Sequence, residues 1–124
     1  MFAVIAIPAM ALSMLQASIA APTDAFRGCL RSASEKAKSD KVGGDKIEDY
    51  LRTNCTVQMG TLKDALIAFR MKNGMARKAA SADASMTVDD YVATPVDNYK
   101  FLMDAAKSAA PAATPAASPQ SQKP

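Results

Sequence analysis

The chain has 124 residues, carries 15 Lys+Arg against 12 Asp+Glu for a net charge of +3, and contains no histidine and no tryptophan. That length allows one ordinary domain, and so small a charge requires no polyanionic partner, so nucleic acid is not expected. With no histidine and no lysine or carboxylate marked out as buried and perturbed, nothing points to catalysis, and neither an enzyme nor a cofactor is expected.

The first element is an apolar run, FAVIAIPAMALSML over residues 2–15, followed by Gln16, Ala17, Ser18, Ile19, Ala20 and Ala21. An apolar core ahead of small residues is the pattern of an export signal. Ser18 and Ala20 suit the −3 and −1 positions, so cleavage is expected before Ala21 and residues 1–20 are read as a signal peptide. No Lys or Arg precedes the run. An uncleaved anchor is the alternative, and it would leave the domain tethered to the membrane; Pro8 and the Gln16–Ser18 break favour cleavage.

The next apolar positions, Phe26, Cys29, Leu30, Ala33 and Ala37, fall on one stripe of a helix. Thr23 is its expected N-cap and Gly43-Gly44 its stop. Asp45-Lys46-Ile47-Glu48 resembles a capping box. Ile47, Leu51, Cys55, Met59, Leu62, Leu66 and Phe69 then recur every three or four residues up to Asn73-Gly74, a C-terminal signal. One long helix is expected here, with a break at Gly60 as the alternative.

Two helices joined by a short glycine turn lie antiparallel. Cys29 and Cys55, the only cysteines, each stand about 13 residues from the turn centre, which places them side by side at equal rise along both arms. A Cys29–Cys55 disulfide is therefore predicted, consistent with an exported chain. Without C-x-x-C or histidine, redox and zinc chemistry have no motif.

Residues 75–84 are alanine-rich, anchored by little beyond Met75, and read as a loose or short helix. Thr87-Val88-Asp89-Asp90-Tyr91 offers one further start. Thr94-Pro95-Val96-Asp97 offers a stronger one, with Thr as N-cap and Pro at the first helical position. Val96, Tyr99, Leu102, Met103 and Ala106 would form the inner face of a short C-terminal helix ending near Lys107. Residues 108–124, SAAPAATPAASPQSQKP, cannot bury enough surface to offset ordering and are expected to be a disordered Ala/Pro tail.

The fold class expected is all-α: an antiparallel hairpin stapled by Cys29–Cys55 plus one or two short helices, over residues 21–107. Residues 24–82 hold twelve basic and seven acidic side chains, and residues 83–107 two basic and five acidic; the two regions are expected to neutralise each other by packing together. Arg70, Lys72, Arg77 and Lys78 cluster near the end of the long helix and form a candidate patch for an anionic partner, with helix-dipole compensation as the competing reading. Asp83, Asp89, Asp90 and Asp97 lack the spacing of a calcium loop and read as helix caps. Tyr50, Tyr91, Tyr99, Met59, Met71, Met75, Met86 and Met103 read mainly as core.

The function expected is a non-catalytic binding or structural component of the bacterial envelope, periplasmic or secreted, with an envelope protein or polymer as partner. In plan, a short helical domain with one disulfide, the chain resembles periplasmic acid-stress chaperones, which implies a holdase as one alternative. Association with an anionic membrane surface through the basic helix end is another.

Overall fold

The computed structural model describes the backbone of residues 10–112 and the side chains of residues 18–108. Four helices occupy it: α1 (Met10–Ser39), α2 (Ile47–Asn54), α3 (Thr56–Lys72) and α4 (Arg77–Ala112). The described residues contain no strand, so the all-α expectation holds. Helices α2 and α3 form one bent arm that returns antiparallel to α1. Helix α4 then packs back on this hairpin. The α3 arm packs along both α1 and α4, whereas α1 and α4 meet over a shorter stretch.

The core is the meeting of three stripes. Phe26, Leu30, Ala33 and Ala37 come from α1; Ile47, Leu51, Cys55, Leu62 and Leu66 from the bent arm; Ala84, Val88, Val92, Val96 and Tyr99 from α4. The Cys29–Cys55 disulfide is present, with Cα atoms 5.8 Å apart, as the equal distances from the turn require. Phe26 meets Tyr91 edge to face, with ring centroids 6.4 Å apart.

Several local expectations are corrected. Thr23 does not cap α1; it lies inside a helix that begins at Met10 and continues through Pro22. A cut before Ala21 would remove Ile19, which packs against the core. Residues 1–9 of the expected signal lie outside the described residues, as do residues 113–124 of the expected tail, while α4 extends beyond Lys107 to Ala112.

The stop of α1 is not the glycine pair. Lys41 adopts a left-handed φ of 55°, Val42 N–H reaches the Ala37 carbonyl at 3.0 Å and Lys41 N–H the Lys38 carbonyl at 3.2 Å. These are the two hydrogen bonds of a Schellman motif with Lys41 at the position glycine prefers. The same pair closes α3, where Met75 N–H meets Arg70 O and Gly74 N–H meets Met71 O, both at 3.0 Å, with Gly74 at φ 94°. The Asp45 capping box does not form: α2 starts after Lys46 without a side-chain cap.

The long arm breaks at Cys55, where φ/ψ is −112°/22°, and Gly60 lies inside α3. The cause is the polar run Thr53-Asn54-Cys55-Thr56. Thr56 Oγ1 donates to Arg52 O (2.9 Å) and Thr53 O (3.0 Å), and Asn54 Nδ2 donates to Tyr50 O (2.8 Å). Side chains that bond to the preceding turn's carbonyls compete with the helix ladder and bend it.

The expected short C-terminal helices are one helix of 36 residues. Neither Thr87 nor Thr94-Pro95 starts a new element. Pro95 removes the donor owed to the Tyr91 carbonyl, a cost of about 3 kcal/mol. Its neighbours Val88, Val92, Val96 and Tyr99 are all at most 5% exposed, and burying each is worth about 1.5–3 kcal/mol. The continuous buried face outweighs the proline.

Among the methionines whose side chains are described, only Met59 and Met103 pack on the core. Met71, Met75 and Met86 are exposed, as are Val57, Phe101 and Leu102. Ala106 also lies on the surface. The anchors of the alanine-rich segment are Ala80 and Ala84, both fully buried, not Met75.

Candidate functional site

The basic cluster expected from sequence divides in two. Arg70 is an internal tie: its guanidinium forms an ion pair with Asp83 and donates to Thr87 Oγ1 at 3.3 Å. Thr87 Oγ1 in turn donates to the Asp83 carbonyl at 3.0 Å. With the Arg52–Asp89 pair at 2.9 Å, this joins the basic stretch of the chain to the acidic one across α4. Lys72 is exposed on the last turn of α3, where a cation suits the helix dipole. Arg77 and Lys78 are exposed too, but they open α4, where the dipole disfavours them. They are therefore not C-terminal charges, and of the four only Arg70 is committed to an ion pair among the described residues.

Asp83, Asp89, Asp90 and Asp97 all lie within α4 and cap nothing. Among the described residues no group of three or more Cys, Asp or Glu stands close enough together to hold a metal ion.

A different site arises where α1 and α4 diverge. Their short contact leaves an open groove of about 790 Å³, within the size range of small-molecule sites. Tyr91, Pro95 and Leu102 supply its accessible apolar surface, backed by the buried Leu30 and Tyr99. The α1 wall carries Arg27, Arg31, Ser34, Glu35 and Lys38; the α4 wall carries Thr87, Asp90, Thr94 and Asn98.

The charges are distributed unevenly along this groove. At one end Lys38 is paired with Glu35 at 3.1 Å. At the other, Arg27 and Arg31 stand one turn apart on the exposed side of α1. Neither has a carboxylate partner among the described residues, where the ion pairs are Lys36–Asp40, Lys38–Glu35, Arg52–Glu48, Arg52–Asp89 and Arg70–Asp83.

The floor of the groove is fixed by Tyr99. Its ring is 2% exposed, and its hydroxyl donates toward Val42 O at 2.6 Å and Ala37 O at 3.1 Å. Those carbonyls belong to the Schellman turn, so Tyr99 locks α4 to the end of α1. Burial raises the Tyr99 pKa above its ordinary value, which keeps the phenol protonated and donating. Beside the same turn, Asp40 accepts from Lys36 (2.7 Å) and Tyr50 (3.0 Å). The hydrogen bond from Lys36, followed by that from Tyr50, lowers the Asp40 pKa; the bond to Asp40 correspondingly raises that of Lys36.

Sequence reasoning missed Arg27 and Arg31. The signal was present: two arginines four apart, flanking Leu30 of the buried stripe, sit at the edge of an apolar face. Compared with protein-family models, with curated proteins and with solved structures, the chain has no match.

Proposed function

We propose that this protein is an exported, non-catalytic binding component of a bacterial cell envelope that engages its partner through the α1–α4 groove. The observation that carries this reading is the pair of unpartnered guanidiniums, Arg27 and Arg31, at the mouth of an apolar cleft. A concave, mostly apolar surface with a few placed polar or charged groups is the usual composition of a binding site. Export is supported by the apolar run of residues 2–15 and by a disulfide of the kind that persists in oxidising compartments. No helix among the described residues is long and apolar enough to cross a membrane.

A photo-crosslinking residue at Ser34, on the groove wall, tests this in an envelope extract, with Lys63 on α3 as the control position. A partner captured at Ser34, not captured at Lys63, and lost on Arg27→Glu/Arg31→Glu supports the groove as the binding face. Equal capture at both positions, or capture indifferent to the charge reversal, overturns it.

A holdase is the second reading. It draws support from the exposed apolar side chains Val57, Met86 and Phe101, each at least 65% exposed. It predicts suppression of client aggregation at acid pH; a chain that stays compact and inert at pH ~3, where carboxylates are largely protonated, removes it. The membrane-surface reading retains Lys72, Arg77 and Lys78 but loses Arg70 to Asp83.

A further inference from the structure

We propose that the occupant of the α1–α4 groove is a single-chain anionic amphiphile, with its carboxylate or phosphate head on Arg27 and Arg31 and its acyl chain lying toward Leu102. This rests on the groove being the binding face. The site is polarised along its length. Of the charged residues lining the groove, Arg27, Arg31 and Lys38 stand against Glu35 and Asp90, a net positive charge of one. The end holding Lys38 is already neutralised by Glu35. Between and beyond them the apolar residues run from Leu30 and Tyr91 through Pro95 and Tyr99 to Leu102. A ligand matching this layout has one charged end and one apolar end.

An acidic partner helix would instead meet cations spread along the whole groove, and the Lys38–Glu35 pair removes that possibility at the far end. The length of the cleft also fits an acyl chain. From Tyr91 to Leu102 is eleven residues of helix, about 16 Å. One leaflet of a bilayer core, which a single acyl chain spans, is about 15 Å. The cleft of about 790 Å³ accommodates one such chain and its head. Guanidinium suits either head, since its fork matches carboxylate and phosphate alike.

Leu102 marks the far end. It is 49% exposed in the helix that otherwise buries Val96 and Tyr99, an apolar side chain at the place where the chain end would cover it.

The test is displacement of a fluorescent long-chain fatty acid from the full, oxidised chain by palmitate, lysophosphatidate, hexadecanol and inorganic phosphate. Palmitate and lysophosphatidate are expected to displace it saturably, whichever is tighter identifying the head. Hexadecanol should be at least roughly tenfold weaker, and Arg27→Gln/Arg31→Gln should cost palmitate about as much while leaving hexadecanol unchanged. Asp90→Asn should tighten palmitate binding, because it removes the lining carboxylate that no lysine or arginine among the described residues pairs with. Leu102→Glu, at a half-exposed position that folding tolerates, should abolish chain-length dependence. Circular dichroism and thermal unfolding confirm that each variant is folded. Hexadecanol equal to palmitate, palmitate binding indifferent to the arginine substitutions, or displacement by inorganic phosphate alone would overturn the proposal. If no amphiphile binds while Ser34 still crosslinks in an arginine-dependent way, the amphiphile is rejected and the binding face stands; if both fail, both fall.

Discussion

Two residues close helices by the same hydrogen-bond pattern with opposite suitability. Lys41 sits at φ 55° and Gly74 at φ 94°. A side chain in the left-handed region costs about 1–2 kcal/mol, partly offset by the extra freedom glycine brings to the unfolded chain. Lys41→Gly should therefore stabilise the protein by about 0.5–1 kcal/mol, and Gly74→Ala should destabilise it by about 1 kcal/mol, both read as shifts in urea midpoint at constant slope. Tyr99→Phe tests a different residue-scale device. It leaves the Val42 carbonyl without its 2.6 Å donor and should cost about 1–3 kcal/mol near neutral pH. The pH dependence has a definite sign. Because the folded-state pKa of Tyr99 is raised above 10.0, its contribution is complete below that value and is lost as pH rises through the folded pKa. The difference between wild type and Tyr99→Phe should shrink above pH 10, and a gap that stays constant or widens would contradict the hydroxyl's role. On the acid side, Asp40 has a lowered pKa, so its smaller contribution is present above the ordinary carboxylate range and fades as pH falls below it.

At the scale of elements, what sequence periodicity reveals is which face is buried, and what it conceals is where the chain bends. The stripes of α1 and of the arm from Ile47 to Leu66 are legible because large side chains recur every three or four residues. The bend at Cys55 is not legible from periodicity, since Leu51 and Leu62 remain buried on both sides of it; its signature is the hydroxyl and amide run around Cys55, not the glycine at position 60. Helix α4 was hidden for the opposite reason. Its inner face opens on Ala80 and Ala84, small side chains that carry little hydrophobic signal, while Thr94-Pro95, in the middle of the valine stripe, carries a strong local signal for a start. Tertiary burial overrides that local preference. Pro95→Ala restores the missing donor to the Tyr91 carbonyl and should stabilise α4 by about 1–3 kcal/mol, somewhat below the full cost of an interior proline because the packing has adapted to it. Thermal unfolding measures this, and a lower midpoint for Pro95→Ala would show that the proline-imposed geometry is needed to seat Tyr99. The groove was invisible to sequence for a related reason: Arg27 and Arg31 lie on α1 and their apolar neighbours on α4, and only the divergence of the two helices makes them one site.

For the whole molecule, the disulfide and the groove lie on different faces of α1. Cys29 joins α1 to the α2–α3 bend, whereas Arg27, Arg31 and Ser34 face α4. The bridge therefore anchors the wall of the groove without entering it. With a sequence separation of 26 residues between the cysteines, constraining the unfolded chain is worth about 3.5 kcal/mol. Few folded domains have more than about 15 kcal/mol in all, and a core built in part from Ala33, Ala37, Ala80 and Ala84 stands at the lower end of that range. Cys29→Ala/Cys55→Ala should lose about 3–4 kcal/mol in urea unfolding, less any packing the alanines recover. It should also show a steeper denaturant slope, because the unbridged chain exposes more surface when it unfolds. The cost to binding depends instead on where the bridge sits. Tyr99 and the Arg70–Asp83 and Arg52–Asp89 pairs still hold α4 to the hairpin without the bridge. The reduced chain, below its unfolding transition, should then retain groove-dependent crosslinking at Ser34 within about twofold of the oxidised chain, since the binding face needs a folded α1 and not the sulfur bridge. A loss of crosslinking that runs ahead of the loss of helical signal would instead show that the disulfide sets the separation of α1 from α4.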